Sequence, residues 1–293
     1  MCSPTQKKKY RNCPINLNRI NRRQNFTHDF DLTETEHFHD FIELVFIING
    51  QGTQVLEDHE YLVSAGDVFV LQGNQRHYFR DAGSVEIINL MVDRNRLNDL
   101  IHKKVRDLDG FKALFILEPK YRSKYHFKNM LKLTCQELSA ADVILNTMFV
   151  EQERKKDAYE IILLNKLEEL VIFLARHYSN IKTTKTKSLV RISKVIDYIE
   201  NNFQNTIYID ELADMAFMSK RNFMRIFKKA AGLSPINYVR EVQLQKARNL
   251  LRETQHQVAD ISMICGFTDS NYFIKCFRKP IMLLPINLEH VLS

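Results

Sequence analysis

The sequence predicts an α+β chain in two halves: a small β-barrel with trailing helices, then an all-α half of two helix-turn-helix units. Three observations predict it. First, a helical pattern occurs twice, in Leu212–Lys229 and again in Ile261–Lys279. Second, short apolar runs punctuated by glycine fill residues 41–92, and five of the chain's eight glycines lie between positions 50 and 83. Third, positive charge is unevenly placed. The net charge is +7, and residues 187–293 hold 15 Lys+Arg against 10 Asp+Glu, leaving +5 in that half and +2 in the rest. A half that binds a polyanion requires such an excess.

Residues 1–25 carry Lys7, Lys8, Lys9, Arg11, Arg19, Arg22 and Arg23 and no acid, which predicts a mobile basic arm. No apolar segment follows the lysines, so a signal peptide is not expected. No apolar run approaches membrane-spanning length, and no membrane partner is expected. The five cysteines lack CxxC spacing and read as reduced thiols of a cytoplasmic protein.

Strands are expected at Phe41–Ile48, Val55–Glu57, Tyr61–Val63, Val68–Leu71, Tyr78–Arg80 and Val85–Val92. Turns at Asn49-Gly50, Ala65-Gly66-Asp67, Gly73-Asn74 and Ala82-Gly83 separate them. Helices are expected at Arg96–Val105, Tyr125–Ser139 and Asp157–Tyr178. In the last, Leu163, Leu167, Leu170 and Leu174 repeat at the spacing of a helix-pairing seam, which predicts a homodimer contact. The whole of 26–178 is expected to be a ligand-sensing and dimerisation domain. Ser179–Ser188 is polar and basic and is expected to be a linker to a DNA-binding domain at 189–293.

Each repeat reads as two short helices joined by a tight turn. In the first, Leu212, Met215 and Ala216 make an apolar face, Ser219 caps the second helix, and Phe223, Ile226 and Phe227 face inward. In the second, Asp269 caps, and Tyr272, Phe273 and Phe277 face inward. Lys220, Arg221, Met224, Arg225 and Lys228 are left outward in one copy, and Ser270, Asn271, Lys275 and Arg278 in the other. A short basic helix on a compact support suits a major groove of double-stranded DNA. Arginine grips a guanine edge, asparagine an adenine edge, and methionine touches a thymine methyl. Pro235–Arg252, with Ser234 as cap, predicts one long helix between the units.

These residues resemble the DNA-binding domain of the AraC/XylS family of bacterial transcription regulators over about residues 187–288. The resemblance implies two helix-turn-helix units on one helix, sequence-specific DNA binding, and work with RNA polymerase. Two departures stand out. Phe217 occupies a turn position where glycine is common, so a bulky residue is expected in left-handed geometry. Met282 and Leu284 replace the Gly232 and Ser234 of the first copy, and Pro280 follows the second recognition helix at once, so a frayed or repacked C-terminus is expected.

In the β half, His37-x-His39-x-x-x-Glu43, then Gly66-Asp67 and His77, resembles cupin motifs. Such a set can hold a transition metal, and in a cupin enzyme it is the active site. The run from 35 to 95 also resembles the sensor domains of L-rhamnose-type activators, where this spelling lines a pocket or packs without metal. His37, His39, Glu43, His77 and Tyr78, with Gln75 and Arg76 near the rim, are therefore assigned to a polyhydroxylated effector such as a sugar. No catalytic residue, metal or cofactor is assigned. No Walker A loop, GxGxxG junction or GxSxG appears. The expected function is a ligand-responsive transcription activator; the alternative is a metal-dependent cupin enzyme with an appended DNA-binding domain.

Overall fold

The structure is a computed structural model, and it describes residues 13–21, 35–57, 59–72, 75–94, 96–119, 131–181, 183–254 and 256–277. The chain divides into two compact units between Ile181 and Lys182.

Among the described residues, the first unit holds eight strands in two antiparallel sheets. They are β1 (Ile15–Asn21), β2 (Ile42–Asn49), β3 (Gln51–Leu56), β4 (His59–Ser64), β5 (Asp67–Leu71), β6 (His77–Arg80), β7 (Glu86–Val92) and β8 (Leu131–Lys132). One sheet runs β1-β7-β2-β5-β8 and the other β4-β3-β6. The expected barrel is thus two sheets that, among the described residues, do not close. Val45, Ile47, Phe69, Leu71 and Ile87 of the first sheet share one apolar core with Leu56, Tyr61, Val63 and Phe79 of the second. Gly50 turns β2 into β3 at φ +81°, and an added Cβ would run into the Ser84 carbonyl.

Strand β1 corrects the expected arm. Ile15, Leu17 and Ile20 are buried, and β1 pairs with β7 from Ile15↔Val92 to Asn21↔Glu86. Arg19 finds its acids far off in sequence, Glu86 at 3.2 Å and Asp142 at 2.9 Å. Residues 1–12 and 22–25 lie outside the described residues.

The helices of this unit are α1 (Leu97–Leu100), α2 (Lys103–Arg106), α3 (Asp109–Phe111, continued by π-helical Lys112–Leu117), α4 (Cys135–Arg154) and α5 (Tyr159–Asn180). The helix expected at Arg96–Val105 is broken into α1 and α2. Of the helix expected at Tyr125–Ser139, residues 125–130 lie outside the described residues. Helix α4 starts at Cys135, where Thr134 and Glu137 form a capping box. The leucine seam is also corrected. Leu163, Leu167, Leu170 and Leu174 are all 0% exposed, because α5 packs them against α4 and α3 of its own chain. A heptad row states that a helix has an apolar partner, not that the partner is a second copy.

The second unit holds α6 (Thr184–Asn202), α7 (Ile209–Met215), α8 (Lys220–Ala231), α9 (Pro235–Glu253), α10 (Val258–Ile264) and α11 (Ser270–Phe277). Helices α5 and α6 take most of the stretch expected to be a linker. The Thr183 hydroxyl accepts from the Thr186 backbone and starts α6, and no Gly or Pro interrupts the turn that follows. Phe223 and Phe227 of α8 pack edge-on at 5.5 Å, and Phe227 meets Tyr238 of α9 at 5.5 Å. Each fully buried ring contributes roughly 1.5–3 kcal/mol. Tyr238 donates its hydroxyl to Glu200 Oε1 at 2.9 Å, tying α9 to α6. Leu244 and Ala247 of α9 join Ile261, Cys265, Phe267, Phe273 and Cys276 in the core of the second copy. Burial there pushes the Cys265 thiol up to about 11. Positions 280, 282 and 284, where the sequence departs from its first copy, lie outside the described residues.

Candidate nucleic-acid interface and effector site

Helices α7–α8 and α10–α11 are the two expected helix-turn-helix units. Ser219 Oγ accepts from the Asn222 backbone N–H, and Asp269 Oδ1 accepts from the Asn271 backbone N–H at 2.8 Å. In both copies the chain leaves the first helix the same way. Met218 N–H donates to Ala213 O at 3.0 Å, and Phe267 N–H to Ser262 O at 2.9 Å. Residues 212–218 therefore match 261–267, but 219–227 match 269–277, and Thr268 is one extra residue in the second turn.

Outward on α8 stand Lys220, Arg221, Arg225 and Lys228, all exposed, with Met224 half-buried. Lys220 Nζ pairs with Asp210 Oδ2 at 2.9 Å, and Arg225 Nη2 donates to Asn222 Oδ1 at 2.7 Å. Outward on α11 stand Ser270, Asn271 and Lys275; Arg278 lies outside the described residues. Tyr272, expected inside, is 44% exposed and sits where the first copy has Asn222. Its ring lies 5.6 Å from the Arg240 guanidinium of α9. Neither Tyr272 nor Arg240 is assigned to the interface by the sequence.

In the sheet unit, β2 and β6 bring Glu43 and His77 together, and the segment before β2 adds His37 and His39. His39 Nε2 lies 2.9 Å from Glu43 Oε2, and His77 Nε2 lies 3.4 Å from the same oxygen. The His37 and His77 backbones bridge, with N–H···O distances of 3.1 and 2.9 Å, and their rings are 4.3 Å apart. Each imidazole turns Nδ1 to a backbone carbonyl: His37 to Thr35 at 3.1 Å, His39 to Phe41 at 3.1 Å, His77 to Gln75 at 2.9 Å. His39, Glu43 and His77 are buried. Burial alone would raise the Glu43 carboxyl, but His39 and then His77 outweigh it and hold the group below the usual carboxylate range.

The donor set fits a transition metal. The ligating atoms of His39, Glu43 and His77 lie within 4.8 Å of one another, and carbonyls fix the ring orientations. Tyr78 does not join them, because alternation along β6 sends it to the opposite side from buried His77 and Phe79. Arg76 is held by Glu36 at 3.5 Å and Glu57 at 3.4 Å, and Gln75 bonds Gln72 and Pro119.

A sheet unit enclosing a polar cluster and a helical unit carrying two helix-turn-helix pairs define a one-chain DNA-binding regulator with a ligand-binding half. Comparison with known proteins gives the family. Residues 212–288 match a helix-turn-helix domain model, and residues 27–104 match an AraC-like ligand binding domain. The HTH-type transcriptional activator RhaR of Yersinia pestis bv. Antiqua (strain Angola) is 30% identical over 261 residues, covering 86% of this chain and 83% of that protein. RhaS of Shigella sonnei (strain Ss046), also an HTH-type transcriptional activator, is 26% identical over 251 residues, covering 83% of each. A solved transcriptional regulator from Chromobacterium violaceum is 26% identical, covering 34% of this chain and 88% of that one at a TM-score of 0.30. The chain belongs to the AraC/XylS family of transcription regulators. With transcriptional activators as relatives over most of its length, it is a regulator and not a cupin enzyme. Among the described residues no helix is long and apolar enough to cross a membrane.

Proposed function

We propose that this chain is a cytoplasmic, homodimeric activator that binds a sugar or similar polyol in its sheet unit and then engages promoter DNA and RNA polymerase. The duplicated helix pair carries the reading: α8 and α11 each start behind a side chain that accepts a backbone N–H of the first turn, and both leave polar side chains in solvent. Two units joined by the rigid helix α9 suit major-groove faces about one turn (~34 Å) apart. Arg221, Met224 and Arg225 are the base-reading residues of α8, and Ser270, Asn271 and Lys275 those of α11. Lys228 and Lys229 serve as phosphate contacts, and Arg278 and Lys279 are assigned the same role from their sequence positions. The names of the relatives RhaR and RhaS support activation.

The effector is assigned to the cluster of His37, His39, Glu43 and His77. Its carboxylate and imidazoles offer paired acceptors and donors to hydroxyls. Binding acts on transcription through its differential affinity for two states of the protein. Footprinting with and without sugars tests the reading. One chain is expected to protect roughly two turns of duplex, and a sugar is expected to change occupancy. Protection of about one turn would remove α11 from the interface, and indifference to every sugar would remove the effector.

A further inference from the structure

Strand β7 reads Ile87-Ile88-Asn89-Leu90-Met91-Val92, one amide in an apolar run, and Asn89 is 1% exposed. Gln54 in β3 is likewise 1% exposed. Directly opposite residues of antiparallel strands share a face. Asn89 stands opposite Val45, and Gln54 opposite Tyr61 and Phe79. Val45, Tyr61 and Phe79 all belong to the core between the sheets, so both amides project into it, one from each sheet.

Their depth is fixed by register. Two residues along on the same face, Met91 stands opposite Glu43, and Leu56 stands opposite His77. Asn89 and Gln54 therefore lie one layer beyond the Glu43–His77 cluster. Among the described residues, no hydrogen-bond partner reaches Asn89 Oδ1 or Gln54 Nε2, and both atoms are buried. Buried polar atoms of this kind are rare in folded proteins and oppose folding. Leucine is of similar size and would avoid that loss, so burial alone does not account for either amide.

We infer that Asn89 and Gln54 form the floor of the effector site and select a hydroxyl-bearing ligand. This rests on the proposed placement of the effector in the sheet unit. One atom is an acceptor and the other a donor. A hydroxyl satisfies both kinds: its hydrogen goes to Asn89 Oδ1, and its lone pair accepts from Gln54 Nε2. A carboxylate satisfies only the donor, and an ammonium only the acceptor. A sugar or polyol spanning the two layers meets the His39–Glu43–His77 cluster with one edge and the amides with another.

The test uses the full chain and the near-isosteric variants Asn89→Leu and Gln54→Leu, titrated calorimetrically with L-rhamnose and a panel of free pentoses, hexoses and deoxyhexoses. Each variant is expected to melt no lower than the parent without sugar, and to bind the sugar that the parent binds at least about tenfold more weakly. Unchanged affinity in both variants would mean that buried water satisfies the amides, and the inference falls. A melting temperature several degrees lower would give them a structural role, with the same result. If the parent binds no sugar in the panel, the effector reading fails first and takes this inference with it.

Discussion

The two helix-turn-helix copies share one chain and one connecting helix, yet they solve the same turn differently. In the first copy Phe217 takes the left-handed backbone at φ 53°, with its ring 78% exposed and the Arg191 guanidinium 5.3 Å from it. In the second copy Gly266 takes it at φ 82°, and an added Cβ would stand 2.7 Å from the Gln204 carbonyl oxygen. The first turn faces open solvent, so a large side chain is tolerated at a backbone cost. The second turn is pressed against the chain that follows α6, so nothing larger than hydrogen fits. Conformation asks for glycine at both positions; only the close approach enforces it.

The largest effect that would sharpen this contrast is expected for Gly266→Ala. It adds both left-handed strain and overlap with a backbone oxygen, about 2–3 kcal/mol together. Hydrogen exchange should show faster opening of residues 258–277 and little change in 209–231. Equal protection in both copies would mean that the 204–206 segment yields easily, and the contrast between the turns would dissolve.

Next comes the contrast between α8 and α11. Arg225 and Lys275 occupy equivalent places, but a guanidinium grips a base edge with two donors where an ammonium is a point charge. Arg225→Ala is expected to cost about 1–3 kcal/mol in binding and to relax preference at one or two base pairs. Lys275→Ala is expected to cost less binding and to relax preference more weakly, because its single ammonium makes no bidentate contact with a base edge. Binding to substituted operators at two salt concentrations separates the cases. If Lys275→Ala costs more specificity than Arg225→Ala, the second copy is the main reader.

Much of this was legible in sequence, and what was not has identifiable causes. Ser219, Asp269 and Ser234 were readable as caps because capping depends on one side chain and the next turn. Strand β1 was hidden, since Asn16, Asn18 and Arg19 dilute its alternation and its acids lie at Glu86 and Asp142. The leucines of α5 do form a seam, but with helices of the same chain, because periodicity carries no address. Tyr272 reads as core because it is an aromatic beside Phe273, whereas it takes the outward place of Asn222 and is 44% exposed. His37, His39, Glu43 and His77 were found as spaced polar residues with chemistry. Asn89 and Gln54 were passed over because a lone amide in a strand carries no pattern, and only cross-strand register shows where it points.

The smallest effect isolates the backbone at position 217. A non-glycine residue in left-handed geometry costs about 1–2 kcal/mol. Phe217→Gly removes that cost, but it gives back about 0.4–1 kcal/mol through the freer unfolded chain. It also removes the arginine–ring contact, roughly 0.5–1 kcal/mol at an exposed site. These contributions nearly cancel, so Phe217→Gly is expected to lie within about 0.5 kcal/mol of the parent in urea unfolding. Phe217→Ala keeps the strained backbone and loses the ring, so it should be less stable than the parent by about 0.5–1 kcal/mol. The glycine variant should therefore exceed the alanine variant by several tenths of a kcal/mol. If alanine proves as stable as glycine, left-handed strain is not what distinguishes the first turn, and the Arg191 contact becomes the reason for a phenylalanine there.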